Sequence, residues 1–331
     1  MGRDRRRATG VLITVLLLTA VAGCAAEEAP KAPTQVSTIG VLRAVQSLEP
    51  GNLEVFLAEL AEAGFVTGRN VRVVGADHTE VHADPVEAES VVREWARDGL
   101  DLVVALSSSG AMAAARGAPG TNVLFLSNDP SAVGLLTNER RPEGRLTGMT
   151  FRVPADRTLE LARRALPGLA KAGFLYPTSD PAGKPAMEAF VRAGASLGVE
   201  IALGPFTAAE DIGGVIDDLR RQGIECLVLG NAPTTLRNYP SITAALASDP
   251  VPVVTNTTAD FALIVLEPDT REIYRQLGRQ AVRLLRGAPV SDVPVEDPGR
   301  FRFILSTSVA DRLGLQIPPD VVRTADTVVR S

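Results

Sequence analysis

Leu102-Val-Val-Ala-Leu-Ser-Ser-Ser-Gly-Ala-Met-Ala-Ala-Ala115 is the stretch on which the reading of this chain turns. Its first five residues are an unbroken apolar run, short enough for a strand and apolar enough to be covered on both faces. Three serines and a glycine form a polar turn, and the alanine-rich segment beyond them is built from the strongest helix former. Strand, turn and helix in that order make up the first part of a βαβ unit, with the turn at the carboxyl end of the strand. The serines admit three roles there. One of them is a nucleophile, or all three cradle a ligand, or Ser109 caps a helix that begins at Gly110.

The same alternation extends in both directions. Strands are expected at residues 37–42, 71–74, 102–106 and 123–127, with helices near 53–61 and 87–97 between them. After a polar, turn-rich stretch at 137–145 the pattern restarts, with strands at 172–176, 199–203, 226–229 and 251–255 and helices beginning near Pro185, Glu210 and Thr234. An apolar run at 262–266, a long helix at 269–286 ended by Gly287 and a strand at 301–305 complete the chain. The fold class is α/β, with two doubly wound parallel-sheet lobes in series. A chain of 331 residues divides naturally into two such cores.

The amino terminus reads as an export signal. Arg3, Arg5, Arg6 and Arg7 precede an apolar run at 11–21, which at about 11 residues falls short of the roughly 20 that a bilayer span requires. Small residues before Cys24 fit a lipoprotein processing site with Cys24 as the acylated residue, and the proline-punctuated segment after it reads as a tether. Processing there moves the formal charge from -5 to about -8, so no nucleic-acid partner is expected. Cys226, the other cysteine, lies in a short apolar run and reads as a small core residue.

Catalytic chemistry finds little support. The serine loop lacks the glycine frame of a nucleophile elbow, and the histidines, His78 and His82, follow the second strand. His78, Glu80, His82 and Asp84 alternate as an extended metal-binding segment would, but Asp84-Pro85 also reads as a helix cap with proline at the first helical position. No phosphate loop and no G-x-G-x-x-G fingerprint follow a strand, so no cofactor is expected. A binding role asks less of the same residues. The hydroxyls of Ser107, Ser108 and Ser109, with the N-H groups at the helix start around Gly110, suit an anion such as a carboxylate.

Several stretches together resemble one family. Ile39-Gly-Val-Leu42, Leu60-Ala-Glu-Ala-Gly-Phe-Val-Thr-Gly-Arg-Asn-Val71, Leu100-Asp-Leu-Val-Val-Ala105, Asn128-Asp-Pro-Ser-Ala-Val-Gly-Leu135 and Leu146-Thr-Gly148 carry the first part of the likeness. Leu277-Gly-Arg279, Leu285-Arg-Gly-Ala-Pro289, Val293-Pro-Val295 and Ala310-Asp-Arg-Leu-Gly-Leu-Gln-Ile-Pro-Pro319 carry the rest. They resemble the ABC transporter substrate-binding proteins of the tryptophan and phenylalanine uptake type, with the type I periplasmic binding protein fold.

That resemblance implies two lobes facing a cleft and joined by three crossovers. Residues 1–23 are then the signal peptide, 24–36 the tether, 37–148 and 263–299 lobe 1, and 149–262 and 300–331 lobe 2, with a hinge at Thr147-Gly148. It also implies a monomeric, extracytoplasmic lipoprotein, anchored to the membrane through Cys24, that captures a small polar solute (an amino acid or related carboxylate) and delivers it to an ABC permease and its ATPase. A receptor of the same fold that reports occupancy to a membrane signalling partner is the alternative; a serine hydrolase is a more distant one. Carried over by position, Ser107, Ser108, Ser109, Gly110, Asn128 and Asp129 hold the solute from lobe 1. Tyr176, Asp180, Asn231, Thr234, Asn256 and Thr257 close over it from lobe 2, and Arg152 answers a negative charge. The sequence departs from the family where an acid often stands, in Gly230-Asn-Ala-Pro-Thr234 and near Val254-Thr-Asn-Thr257. A ligand amino group then has Asp180, Asp129 or Glu267 to meet.

Overall fold

The computed structural model describes residues 36–43, 51–75, 84–181 and 183–330. Cys24, residues 44–50 and residues 76–83 with both histidines lie outside them.

The first lobe is built from β1 (Ser37–Leu42), α1 (Gly51–Glu62), β2 (Val71–Val74), α2 (Pro85–Arg97), β3 (Leu102–Ala105), α3 (Ser108–Gly117), β4 (Asn122–Ser127) and β5 (Leu146–Thr150). The second contains α4 (Ala155–Ala165), β6 (Lys171–Pro177), α5 (Gly183–Leu197), β7 (Glu200–Phe206), α6 (Asp211–Arg221), β8 (Cys226–Leu229), α7 (Pro233–Arg237), α8 (Tyr239–Leu246), β9 (Val253–Thr255) and β10 (Ile264–Pro268). The chain then returns to lobe 1 for α9 (Thr270–Leu285), and ends in lobe 2 with β11 (Phe301–Ser306), α10 (Thr307–Arg312), α11 (Pro319–Thr324) and β12 (Thr327–Val329).

Among the described residues the first sheet runs β2-β1-β3-β4-β5, all parallel. The second runs β12-β11-β10-β9-β8-β6-β7, parallel except where β11 lies antiparallel to β10. The central strands of each sheet are buried on both faces, which is why they read as continuous apolar runs, whereas the edge strands β7 and β12 are partly exposed. In β3 and β4, Leu102, Val104, Leu124 and Leu126 point into the layer under α1 and α9, while Val103, Ala105, Val123 and Phe125 point into the layer under α2 and α3. Ala172, Phe174, Cys226 and Val228 face α4 and α5 in lobe 2, and Leu175, Leu227 and Leu229 face α6 and α8. A large apolar side chain buried this way contributes about 1.5–3 kcal/mol.

Three expectations change. Leu146–Thr150 is a strand, so the expected hinge position Thr147-Gly148 lies inside the first sheet. Its sequence hides this, because two threonines and a glycine replace the apolar run. Gly148 is needed for close approach, since a Cβ there lies 2.1 Å from the Phe125 carbonyl oxygen. Second, β10 pairs with β9 and β11, so residues 264–268 belong to the second sheet and lobe 1 resumes only after Asp269, which caps α9. Third, the second sheet is mixed, since β11 enters it from the opposite direction. Three crossovers join the lobes, at 151–154, at 269 and at 297–300. They lie side by side, with Thr150 N-H donating to Glu296 O (2.9 Å) and Asp269 N-H to Arg300 O (2.9 Å).

Candidate functional site

The strand order locates the site. It reverses at β1 in lobe 1 and at β6 in lobe 2, and ligands of open sheets bind in the crevice beyond the carboxyl ends of strands at such points. The loops following β3, β4, β6, β8 and β9 converge there on a cleft of about 520 Å³ between the lobes.

From lobe 1 the cleft receives Ser107, Ser108, Ser127, Asn128 and Asp129, with Asn52 from the first turn of α1. Ser107, not Ser109, caps α3: its backbone is extended and its Oγ accepts the Gly110 N-H at 3.0 Å. Helix α3 therefore starts at Ser108, two residues before the glycine, and Gly110 is buried within it. Ser109 does not line the cleft; its Oγ lies 3.2 Å from that of Ser107. Ser108 Oγ lies 2.7 Å from Ser127 Oγ, so the two loops share a hydroxyl pair. Asp129 Oδ1 accepts the Ala132 N-H at 2.9 Å and shapes the loop after β4.

Lobe 2 contributes Asp180, Asn231, Asn256, Thr257, Thr258, Glu267 and Arg302. Glu267 and Arg302 form an ion pair at 2.9 Å, and the second carboxylate oxygen of Glu267 accepts Thr258 Oγ1-H at 2.6 Å. Asn256 is buried, and its amide donates to Thr158 Oγ1 and to Leu266 O. Between the lobes, Asn128 Nδ2 donates to Asn231 O at 3.0 Å and Asn231 Nδ2 donates to Phe151 O at 3.0 Å, which joins the loop after β4, the loop after β8 and the first crossover. Thr234 faces away from the cleft and accepts Arg237 instead, while the adjacent Thr235 turns inward.

Tyr176 lines a second cavity of about 440 Å³, which lobe 2 borders together with the loop after β4 and the crossovers at Arg152 and Asp297. Its lining is largely apolar, and it shares Asn128, Asp129, Asn231 and Asn256 with the cleft. Phe174, at the centre of this wall, stacks on Phe190 (centroids 4.4 Å apart) and on Tyr176 (6.0 Å).

No proton-transfer constellation accompanies these groups among the described residues. The serines bond to one another and to backbone, and no three or more His, Cys, Asp or Glu are gathered as a metal site requires. Asp84 Oδ1 caps α2 by accepting the N-H groups of Val86 and Glu87, while the other members of that alternating segment lie outside the described residues. Burial pushes the Cys226 thiol up to about 12, helped by the Glu225 charge, so it is neither nucleophile nor ligand near neutral pH. The cleft gathers hydroxyls and amides beside Asp129, Asp180 and the Glu267–Arg302 pair.

The family model described as ABC transporter substrate binding protein matches residues 53–329. The chain belongs to that family. A tyrosine-binding protein from Clostridioides difficile (strain R20291) is 21% identical to this substrate-binding protein over 265 residues, covering 79% of this chain and 76% of its own. Two solved structures share the fold, each over 89% of this chain and all of their own. One is the ligand-free, open form of a substrate binding protein with adhesive properties from Clostridium difficile (22% identity, TM-score 0.74). The other is a domain from Streptococcus pneumoniae in complex with L-Trp (21% identity, TM-score 0.69). The fold is accordingly that of a type I periplasmic binding protein.

Arg152 has a different place in this substrate-binding protein than its sequence suggests. Its guanidinium grips both carboxylate oxygens of Glu139 and, through Nε, Asp297 at 2.9 Å. Thr150 Oγ1 donates to the same Asp297 oxygen, and Ser131 Oγ donates to Glu139 at 2.9 Å. Burial alone lowers an arginine's pKa, but the bonds and charges of Glu139 and Asp297 outweigh it and raise this one above its usual range. The side chain ties the loop after β4 to the first and third crossovers. It braces the crossovers through bonds from Nε and from both terminal nitrogens, and it also borders the second cavity.

Proposed function

We propose that this protein is the extracytoplasmic, lipid-anchored receptor of an ABC importer, which closes its two lobes on a small polar solute and presents the closed form to a permease and its ATPase. The solute we propose is an amino acid or a related carboxylate. One observation carries the reading. Hydroxyls and amides from the ends of β3 and β4 face those from β8 and β9 across a cleft, and the three crossovers beside it form a hinge. Such a geometry gives a ligand different contacts in the open and closed forms, which is what shifts a population towards closure. Ser107, Ser108 and Asn128 are the donors proposed for a carboxylate, beside the start of α3. The naming of one relative for tyrosine and the L-Trp in another support an amino acid. The acidic groups bordering the cleft take part in other bonds, with Asp129 on Ala132 N-H and Glu267 on Arg302 and Thr258, and this favours solutes whose carboxylate dominates recognition.

Thermal unfolding of the full chain against amino acids, small carboxylates, nucleosides and sugars tests the reading. A solute at 100 times its dissociation constant adds about 2.7 kcal/mol of stability, a shift that such a scan resolves. Stabilisation by a sugar or nucleoside with none by any carboxylate overturns the solute class. Release of a Cys24→Ala variant from the membrane fraction is the expected mark of the anchor, and its retention there counts against it.

A further inference from the structure

We propose that the first turn of α1 is a binding site for a carboxylate, with the side-chain amide of Asn52 as its hydrogen-bond donor. That the carboxylate arrives as part of a solute rests on the function proposed above; the site itself stands on Asn52 and on the place of α1 in the sheet.

Among the described residues that line the cleft, three polar ones are buried: Asn52 and Ser127, each 3% exposed, and Asn256, 4% exposed. Ser127 pairs with Ser108, and Asn256 donates to Thr158 and to Leu266 O. The side chain of Asn52 has no hydrogen-bonding partner among the described residues. An amide carries two donors and an acceptor, and native proteins rarely bury one with every bond unmade. Helix formation does not account for it either, since asparagine is a weak helix former, and it is Leu53 and Phe56 that face the core from this end of α1. Asn52 lies on the wall of the cleft instead, and its amide is assigned to what enters there.

The helix start decides the sign of the occupant. The first four N-H groups of an α-helix have no intrahelical acceptor, and the aligned peptide dipoles place about half a positive charge there. Asn52 is the second of the 12 residues of α1, so its amide lies within that turn. Helix α1 covers one face of the first sheet, with Leu53 and Phe56 in the layer of Leu102 and Val104, whereas α3 covers the other, in the layer of Val103 and Ala105. Strands β1 and β3, which lead into these helices, are neighbours in the sheet. The two helix starts therefore border one cleft from opposite faces of the sheet, and both present their positive ends to it. Arg302 is the one cationic side chain among the described residues lining the cleft, and it is paired with Glu267. An anion in lobe 1 thus draws on helix dipoles and on amide and hydroxyl donors, which a carboxylate matches and an ammonium does not.

The test uses the full chain and two probes of one shape, propionate and its neutral counterpart propionamide. Their binding is followed by ligand-observed NMR in wild type, Asn52→Leu and, as a second variant with less bulk, Asn52→Ala, with thermal unfolding followed by circular dichroism. Wild type is expected to bind propionate more tightly than propionamide. Either variant should weaken propionate about ten-fold, the factor for one hydrogen bond to a charged group, and propionamide by less. The thermal midpoint of Asn52→Leu should be unchanged or higher, because an apolar side chain of similar shape replaces a buried amide that bonds to nothing in the fold. Failure of wild type to bind propionate, or equal binding by wild type and a folded variant, overturns the site. A lowered midpoint with propionate binding unchanged makes Asn52 a structural residue and overturns it as well. L-Alanine and L-tyrosine titrated into the same proteins separate this site from the function proposed above. If either amino acid binds wild type and the Asn52 variants equally, the site falls and the function stands. If neither binds wild type while propionate binding depends on Asn52, the amino-acid reading falls and the site stands.

Discussion

The two lobes bring different chemistry to one cleft. Lobe 1 offers a compact set of neutral groups, Ser107, Ser108, Ser127 and Asn128, held at the ends of two central strands of an all-parallel sheet. Lobe 2 offers the Glu267–Arg302 pair on its antiparallel strands and, beside Phe174, most of the wall of the second cavity. The difference is one of charge and shape at the two walls of the cleft. On the function proposed above, lobe 1 would meet the solute's carboxylate and lobe 2 the remainder of the solute.

The contrast is broken most strongly at its core. Phe174→Ala removes a fully buried ring that also walls the second cavity, and is expected to cost about 4 kcal/mol. Trp95, the only tryptophan, packs in lobe 1 against Gly40, so its fluorescence reports that lobe. In urea, the circular dichroism transition of Phe174→Ala should precede that of Trp95 fluorescence; coincident transitions would show that the lobes unfold as one.

Gly148→Ala is the counterpart in lobe 1. The added methyl meets the Phe125 carbonyl, a backbone atom that cannot rotate aside, and a cost of about 2 kcal/mol is expected, read first by Trp95. Next comes the hinge that both lobes share. Arg152→Gln removes a partly exposed strut and leaves Glu139 and Asp297 facing each other, with an expected effect of about 1 kcal/mol. Calorimetry should show dissociation constants for all solutes shifted by a similar factor, with their ratios preserved; a loss confined to anionic solutes would restore Arg152 to the binding site.

Ser108→Ala sharpens the contrast at the wall of lobe 1, weakening carboxylate solutes about five-fold whatever their side chain. The smallest effect at neutral pH belongs to Cys226. Its thiol is held protonated in the folded state up to about 12, while in the unfolded chain it ionises near 8.5. The unfolded state therefore binds fewer protons between these values, and stability should fall as pH rises through that window and be unaffected below it. Native protein at pH 8 should resist iodoacetamide, whereas urea-unfolded protein should react.

Much of this architecture was legible in the chain. Runs such as Leu102–Ala105 and Cys226–Leu229 are apolar at every position because both sheet faces are covered, and periodicity reports burial directly. The cleft loops were legible for the same reason, since they are the polar breaks at the carboxyl ends of those runs. The strand at Leu146–Thr150 escaped notice because its partners accept it through a glycine and two threonines. Residues 264–268 were placed with the wrong lobe because a strand's sequence does not say which sheet it joins. Ser107 displaced Ser109 as the cap through a difference of two residues in where α3 begins, a detail of backbone geometry.

The sequence by itself determined the alternating α/β order, the division into two cores and the placement of a serine-rich loop at a strand end, because these depend on local propensity and on the period of apolar residues. Tertiary structure alone decided what Arg152 and Asn231 bond to. Arg152 finds Asp297 at a separation of 145 residues, and Asn231 finds Phe151 at a separation of 80. A side chain's hydrogen-bonding role is set by which groups the fold carries to within about 3 Å of it, and that distance has no counterpart along the chain.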